Sequence, residues 1–430
     1  MTARGGPGRW LSTAEAAARL GVKRETLYAY VSRGMLERRP AADGRSSTFA
    51  ADQVEALAQR ARRGGRARGL EVVVSTGLTL LTEDGLWFRG RDACHLARTV
   101  GFESVAEWLW SGREEALAVR PSWPAPAGPS AGPGAATEPG QAADPVDRCR
   151  VAVAVLAAGD ELRYDLGEQA VTAAGRRMIA AMVASLAPPP AAVAYGGAAA
   201  GSSEPAAGPS EPAGGPSPPD SVAGRLWQRL TSRPADGAAV AALDAALVLL
   251  ADHELAASTF AVRIAASVRA DPYSVVSTGL GVVAGGLHGA ASREVVALLD
   301  EVGRSDSAAR VVGDRLRRGQ RLAGIGHPVY VGADPRAETL LDLLDRVSVD
   351  PHRRGVVDEV LAVVRARLPP PVNIDFALGA LGYLTGMTAD GGEAVFAVAR
   401  TAGWLAHALE EYGEAPLRFR PRAVYTGPRP

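Results

Sequence analysis

The sequence predicts a mainly α-helical protein in two parts, a small front domain over residues 1–65 and a large helical body over 70–430. Three observations carry this. Apolar residues at helical spacing fill most of the chain, as in FESVAEWLWSG and VVDEVLAVVRARL, and leave little room for a large sheet. A Gly/Arg-rich linker, RRGGRARG at 62–69, separates the parts. Charge divides at the same place: residues 1–70 hold 14 Lys+Arg against 6 Asp+Glu, or +8, while the whole chain sums to zero, so the remainder carries −8.

In the front unit, compact over 10–63, Ser12 or Thr13 is placed to cap a helix with Ala16, Ala17 and Leu20 on its apolar side. Gly21 permits a tight turn. A second helix starts near Lys23 and Arg24, turns Leu27 and Val31 inward and stops before Gly34. Two short helices joined by a glycine turn fit the helix-turn-helix plan, in which the second helix enters the major groove. Its outward residues are Lys23, Arg24, Thr26 and Tyr28. MLERRPAADGRSSTF then offers a β hairpin turning at Asp43-Gly44 with Arg45 near its tip, and DQVEALAQRAR a packing helix. This order resembles the winged DNA-binding head of the MerR family over about the first 65 residues. The resemblance makes DNA a candidate partner, with Lys23, Arg24 and Arg45 as first phosphate or base contacts. The plainer alternative is a three-helix packing module with a solvated basic face.

From Leu70, LEVVVSTGLTLLTEDGLWFRG reads as a short β ribbon turning at Asp84-Gly85. Helices follow. Two tracts rich in Pro, Ala, Gly and Ser, at 121–146 and 188–220, interrupt them and read as mobile surface loops. The strongest apolar run, AAVAALDAALVLLA at 238–251, is too short for a membrane span and is broken by Asp244. MTARGGPGRW lacks the apolar stretch of a secretory signal, and Cys94 and Cys149 lack metal or redox spacing. A cytoplasmic protein with reduced thiols is the expectation.

Six histidines occur, and three sit in unusual settings: His253 in ADHE, His288 in GGLHGA and His327 in GIGHPVY. Glycines beside the last two let backbone approach a ligand closely. Asp375 stands at the mouth of the apolar helix of VNIDFALGALGYL, and Arg336, Arg400 and Arg420 recur nearby in the sequence. Each has an ordinary alternative: a structural histidine in a turn, a helix-capping aspartate, a surface arginine. As a set they suit chemistry on a dianion, with arginines clamping carboxylates, a carboxylate removing a carbon-bound proton and imidazoles supplying hydrogen bonds or protons. No His/Cys/carboxylate spacing suits a metal.

ADHELAASTFAVR, ADPYSVVSTGLG, GGLHGA, GIGHPVYVGADPRA, NIDF and RPRAVYTG stand in the order and approximate spacing of the citrate synthases, and STGLTLLTEDGLWFRGRDACHLA resembles that family's N-terminal segment. The resemblance runs from about residue 70 onward, outside the two low-complexity tracts. It implies the citrate synthase fold, a large helical domain with a small one at roughly 285–385 that closes over substrate, in a homodimer. It implies acetyl-CoA and oxaloacetate as substrates, with propionyl-CoA and 2-methylcitrate as the alternative, and no cofactor beyond the thioester. By position, His288 corresponds to the general acid of enolisation, Asp375 to the base, and His327 to the histidine that polarises the ketone. His253, Arg336, Arg400 and Arg420 correspond to oxaloacetate ligands, the last supplied across the dimer interface. A DNA-binding regulator whose body senses oxaloacetate or acyl-CoA is the alternative from another class. Ala256, Gly286, Val331 and Ala377-Leu378 depart from the family's usual residues at surfaces facing the thioester and leave the seven-residue set intact.

Overall fold

The computed structural model describes residues 10–20, 22, 27, 30, 31, 36–40, 47–51, 53–54, 73–123, 144–188, 219–285, 291–305, 307–330, 332–368, 371–421 and 426–427. Contacts divide the chain into two compact units, Met1–Ser75 and Thr76–Pro430.

The front unit contains strand β1 (Trp10–Ser12), helix α1 (Thr13–Leu20) and strands β2 (Arg38–Pro40) and β3 (Ser47–Ala50). The expected hairpin forms, with Pro40 opposite Ser47. β1 adds a third, unexpected strand, giving the antiparallel order β1-β3-β2. Ser12 is the residue at the helix start: its Oγ accepts from Glu15 N at 3.3 Å while Glu15 Oε2 accepts from Ser12 N at 2.8 Å. That reciprocal pair is a capping box. Leu11, Ala16, Leu27, Leu36, Phe49 and Val54 form the unit's own core, with Val31 packed against it, which matches the inward set of the two-helix reading. Lys23, Arg24, Thr26, Tyr28 and Arg45, the DNA-contact candidates, lie outside the described residues.

The second unit opens with β4 (Thr79–Leu81), β5 (Leu86–Phe88) and β6 (Arg91–Asp92), a small antiparallel sheet in that order. Leu81 pairs with Leu86, so the turn falls at Asp84-Gly85 as the sequence indicates. Residues 73–76 carry no strand, so the ribbon is shorter than its apolar alternation suggests. Then come α2 (Ala93–Thr99), α3 (Phe102–Ser111), α4 (Pro145–Gly159), α5 (Glu168–Ser185), α6 (Val222–Leu230), α7 (Gly237–Leu250), α8 (Ala257–Ser267) and α9 (Pro272–Val283). They are followed by α10 (Ala291–Gly303), α11 (Ala308–Arg317), α12 (Pro335–Leu344), α13 (Pro351–Arg367), α14 (Ile374–Thr385) and α15 (Gly391–Tyr412).

Asp144, Asp271, Asp334 and Asp350 each cap a helix whose first residue is proline. The aspartate accepts from exposed N–H groups of the first turn, and proline has no N–H to leave unpaired there. α7 takes in the apolar run from 238 to 250, with Ala251 as its C-cap, and is buried nearly all round, as a central helix requires. Its one interior acid, Asp244, accepts from Phe102 N at 3.1 Å and from Arg120 Nη2 at 2.7 Å. α12, α14 and α15 all pack on α7, which brings three sequence-distant segments to one central helix.

The low-complexity tracts lie mostly outside the described residues, but the first is narrower than its composition indicates. Trp123 is buried, stacked on Trp110 at 5.6 Å between centroids, and Pro145 already belongs to α4. Cys94 and Cys149 are free thiols. No helix among the described residues is long and apolar enough to cross a membrane.

Candidate functional site

The C-terminal end of α7 delivers His253 on the segment Ala251-Asp252-His253-Glu254. Glu254 takes φ 53°, a left-handed conformation that costs a non-glycine residue about 1–3 kcal/mol. Facing it is the loop of His327. Gly324 and Gly326 take φ 76° and 78°, and a Cβ on Gly324 would stand 2.8 Å from Val295 Cγ2 and 2.9 Å from Phe376 Cβ. Only glycine meets both demands there.

The same loop is tied to the entry of α14. Ile325 bridges Val372, Gly326 N donates to the Pro371 carbonyl at 2.8 Å, and Asn373 N donates to the Gly324 carbonyl at 2.8 Å. Asn373 also caps α14: its Oδ1 accepts from Asp375 N at 2.9 Å, and its Nδ2 donates to the Gly326 carbonyl at 2.8 Å. The cap is therefore Asn373, and Asp375 keeps its carboxylate for other work.

His327 has a defined proton position. Its Nδ1 accepts from the backbone N–H groups of Val329 and Tyr330 at 3.1 and 3.3 Å. An acceptor nitrogen carries no proton, so the neutral ring presents Nε2–H as a donor. Burial, reinforced by the charge of Arg336, lowers its pKa from 6.5 to about 4. The rings of His253 and His327 meet edge to face at 5.1 Å, and Tyr330 completes the cluster, 4.7 Å from His327 and with its hydroxyl 3.2 Å from His253 Nε2. Burial first, then Arg336 and Arg400, holds His253 well below its ordinary range as well.

Arg336 is the buried cation at the centre, 3% exposed and paired with Asp334, itself 1% exposed. Asp334 Oδ1 accepts from both the backbone N and Nε of Arg336 at 3.0 Å. Its Oδ2 accepts from Nη2 at 2.8 Å and from Ile374 N at 3.0 Å. The guanidinium lies 5.2 Å from the Tyr330 ring centroid. Arg400 is buried on α15, donates from Nε to the Leu250 carbonyl at 2.7 Å and lies 4.7 Å from the Phe396 ring, which excludes the surface-charge alternative. Its burial lowers its pKa to about 10. Burial raises the pKa of Asp375 despite the opposing pull of Arg336 and Arg400.

The charge of Arg336 acts on His253, His327, Asp375 and Arg400 alike, so five of the seven predicted residues lie within electrostatic reach of one another. His288 lies outside the described residues. Arg420 is exposed at the end of a strap anchored by Leu417 N to the Ser267 carbonyl, Arg418 to Glu411, and Phe419 on Phe260. Among the described residues no hydrogen bond or ion pair joins it to the other five. Sequence reasoning passed over Tyr330, Asp334, Asn373 and Asp252. The first two stand in GIGHPVYVGADPRA, where an aspartate before Pro-Arg is the available signal. Chemically, the site offers two neutral imidazoles, two buried guanidiniums and one carboxylate of raised basicity, a set suited to binding a dianion beside a proton abstraction.

Comparison with known proteins gives the same direction. The sequence model described as citrate synthase, C-terminal domain, matches residues 67–422, and one described as helix-turn-helix domain matches 10–62. Citrate synthase 2 of Bacillus subtilis is 37% identical over 194 residues, 44% of this chain and 51% of the relative. Citrate synthase of Haloferax volcanii is 39% identical over 191 residues, 43% and 49% of the two chains. The matched region spans about half the length of these relatives. Among solved structures, citrate synthase from Pyrobaculum aerophilum superposes with TM-score 0.65 at 25% identity over 84% of this chain and 91% of that one. The ternary complex of carboxymethyl coenzyme A and oxaloacetate with citrate synthase from Thermoplasma acidophilum gives 0.62 at 24%, covering 84% and 95%.

Proposed function

The chain belongs to the citrate synthase family, and on that premise we propose that it condenses acetyl-CoA with oxaloacetate and water to give citrate and coenzyme A. The observation that carries the reading is the cluster of His253 and His327 on Tyr330, with the buried Arg336 guanidinium 5.2 Å from the Tyr330 ring and Asn373 tying the His327 loop to the helix of Asp375. Arg336, Arg400 and His253 hold the two carboxylates of oxaloacetate. In a homodimer, Arg420 of the partner subunit adds a further cation, in keeping with its exposed position at the end of the strap.

The Asp375 carboxylate takes a proton from the thioester methyl, and the C–H electron pair becomes the carbon–carbon double bond of the enol. His288 donates to the thioester oxygen, so no free enolate forms. The enol carbon then attacks the oxaloacetate ketone, whose oxygen accepts from His327 Nε2–H as negative charge develops on it. Water hydrolyses the resulting citryl thioester, releasing coenzyme A. A small domain at roughly 285–385 closing over the site excludes water until condensation is complete.

The thioester pocket decides between acetyl and propionyl groups, and one methylene is worth about 1–3 kcal/mol. Comparing kcat/KM for acetyl-CoA and propionyl-CoA at saturating oxaloacetate, with the product identified by mass, tests the reading. A preference for propionyl-CoA assigns the chain to 2-methylcitrate formation instead.

A second reading rests on the helix-turn-helix match over residues 10–62 and the local charge of +8 over 1–70. A dimeric body presents two such heads, as paired half-sites require. Selection from random DNA, with and without oxaloacetate and coenzyme A, tests it, and the absence of any enriched sequence rejects it.

A further inference from the structure

One face of α15 holds the three residues that lead into His253. Arg400 Nε donates to the Leu250 carbonyl at 2.7 Å, Gly403 N donates to the Ala251 carbonyl at 3.0 Å, and His407 Nε2 stands 3.2 Å from Asp252 Oδ2. Positions 400, 403 and 407 share one helical stripe, so the helix meets residues 250, 251 and 252 in order. The approach is so close that a Cβ on Gly403 would run into the Ala251 carbonyl oxygen.

His407 is fully buried and belongs to no step of the condensation. Its orientation is fixed. Arg263 Nη1 lies 2.9 Å from His407 Nδ1, and a guanidinium only donates, so Nδ1 accepts and Nε2–H donates to Asp252. Arg263 is itself held, Nε to Glu411 Oε2 at 3.0 Å and Nη1 to Glu410. Asp252 Oδ2 accepts two further bonds, from the Thr79 hydroxyl and from Glu254 N at 3.2 Å, while Oδ1 has no hydrogen-bond partner among the described residues. The carboxylate is thus pinned through one oxygen by donors from β4, from α15 and from the strained residue that follows His253.

We propose that His407 and Thr79 are positioning residues that act through Asp252 to set His253 against Arg400, and so determine how tightly the site holds oxaloacetate. This rests on the reading of His253 and Arg400 as oxaloacetate ligands. Neither positioning residue touches substrate. A hydrogen bond to a buried carboxylate is strong enough that losing one from this pin changes affinity by about tenfold.

The experiment is calorimetric titration of the full-length protein with oxaloacetate, alongside melting temperatures and steady-state kinetics. Thr79→Val keeps shape and removes one donor. His407→Gln keeps a donor near the Nε2 position, whereas His407→Asn keeps only a group near Nδ1, facing Arg263. The expected result is oxaloacetate affinity weakened about tenfold in Thr79→Val and His407→Asn and largely restored in His407→Gln, with the KM for acetyl-CoA unchanged. Should His407→Asn fail to fold, Thr79→Val carries the test alone. Wild-type affinity in Thr79→Val overturns the proposal, as does His407→Gln binding no better than His407→Asn. A wild-type protein that binds no oxaloacetate overturns the site reading and this proposal together, so the two failures are told apart.

Discussion

Asn373 donates from Nδ2 to the Gly326 carbonyl at 2.8 Å, and the residue that caps the helix of Asp375 therefore also holds the loop of His327. Asp375 and His327, the proposed base and the proposed ketone-polarising imidazole, share one local frame. Asn373→Asp retains the helix cap through a carboxylate oxygen but removes the donor and faces an acceptor with another acceptor. The variant is expected to lose about 1–3 kcal/mol of stability and about tenfold in kcat, read by urea denaturation and steady-state kinetics.

His327 makes a prediction about pH. Its folded pKa is lowered from 6.5 to about 4 because burial penalises the charged ring. Between those values the unfolded chain binds the proton and the folded one does not. Stability therefore falls as pH drops from 6.5 toward 4 and levels off below. His253 adds to the same trend, while the raised Asp375 opposes it near the lower end. The difference between wild type and His327→Asn isolates the ring: the variant should lose stability less steeply over this window. Parallel curves would mean that His327 is not held neutral in the folded protein.

Arg336 and Asp334 are a buried pair, so removing one partner leaves an unpaired interior charge. Arg336→Gln is expected to cost about 3–5 kcal/mol in chemical denaturation and to abolish measurable oxaloacetate binding. Adding Asp334→Asn removes the orphaned charge. The double variant should regain most of the stability and none of the affinity, which separates the structural role of the pair from its role in binding.

The exposed position of Arg420 predicts complementation between subunits. Arg420→Ala and Asp375→Ala homodimers should each be inactive. In a mixed dimer, one site combines Asp375 of one subunit with Arg420 of its neighbour, so remixing equal amounts should restore about a quarter of wild-type activity. No recovery after verified subunit exchange would place Arg420 in its own subunit's site, and an active Arg420→Ala homodimer would place it in none.

Much of this was legible in the residues. The helices at 102–111 and 351–367, the turn at Asp84-Gly85, and the inward set Ala16, Leu27 and Val31 follow from apolar period and turn chemistry, which act over a few neighbours. His253, His327, Arg336, Arg400 and Asp375 stood out through motifs, and the structure brings them together. What escaped depends on distance in sequence. Asp252 and His407 lie 155 positions apart, in an acidic turn and an apolar helix that each look ordinary, and only the packing of α15 on α7 joins them. Strand β1 needs β3 to exist, and Trp123 needs Trp110 to draw it from a proline-rich tract into the core. The cap of α14 falls to Asn373 rather than Asp375 because a residue two positions earlier serves both the helix and the His327 loop.

The most direct test of the central claim is the oxaloacetate-dependent release of coenzyme A from acetyl-CoA by wild-type protein and by Asp375→Ala. The expected result is turnover in the wild type, with citrate as product, and a fall in kcat of about 10²–10⁴ in the variant while oxaloacetate binding persists. Turnover that survives the loss of the Asp375 carboxylate would contradict the assignment of the base and the mechanism built on it.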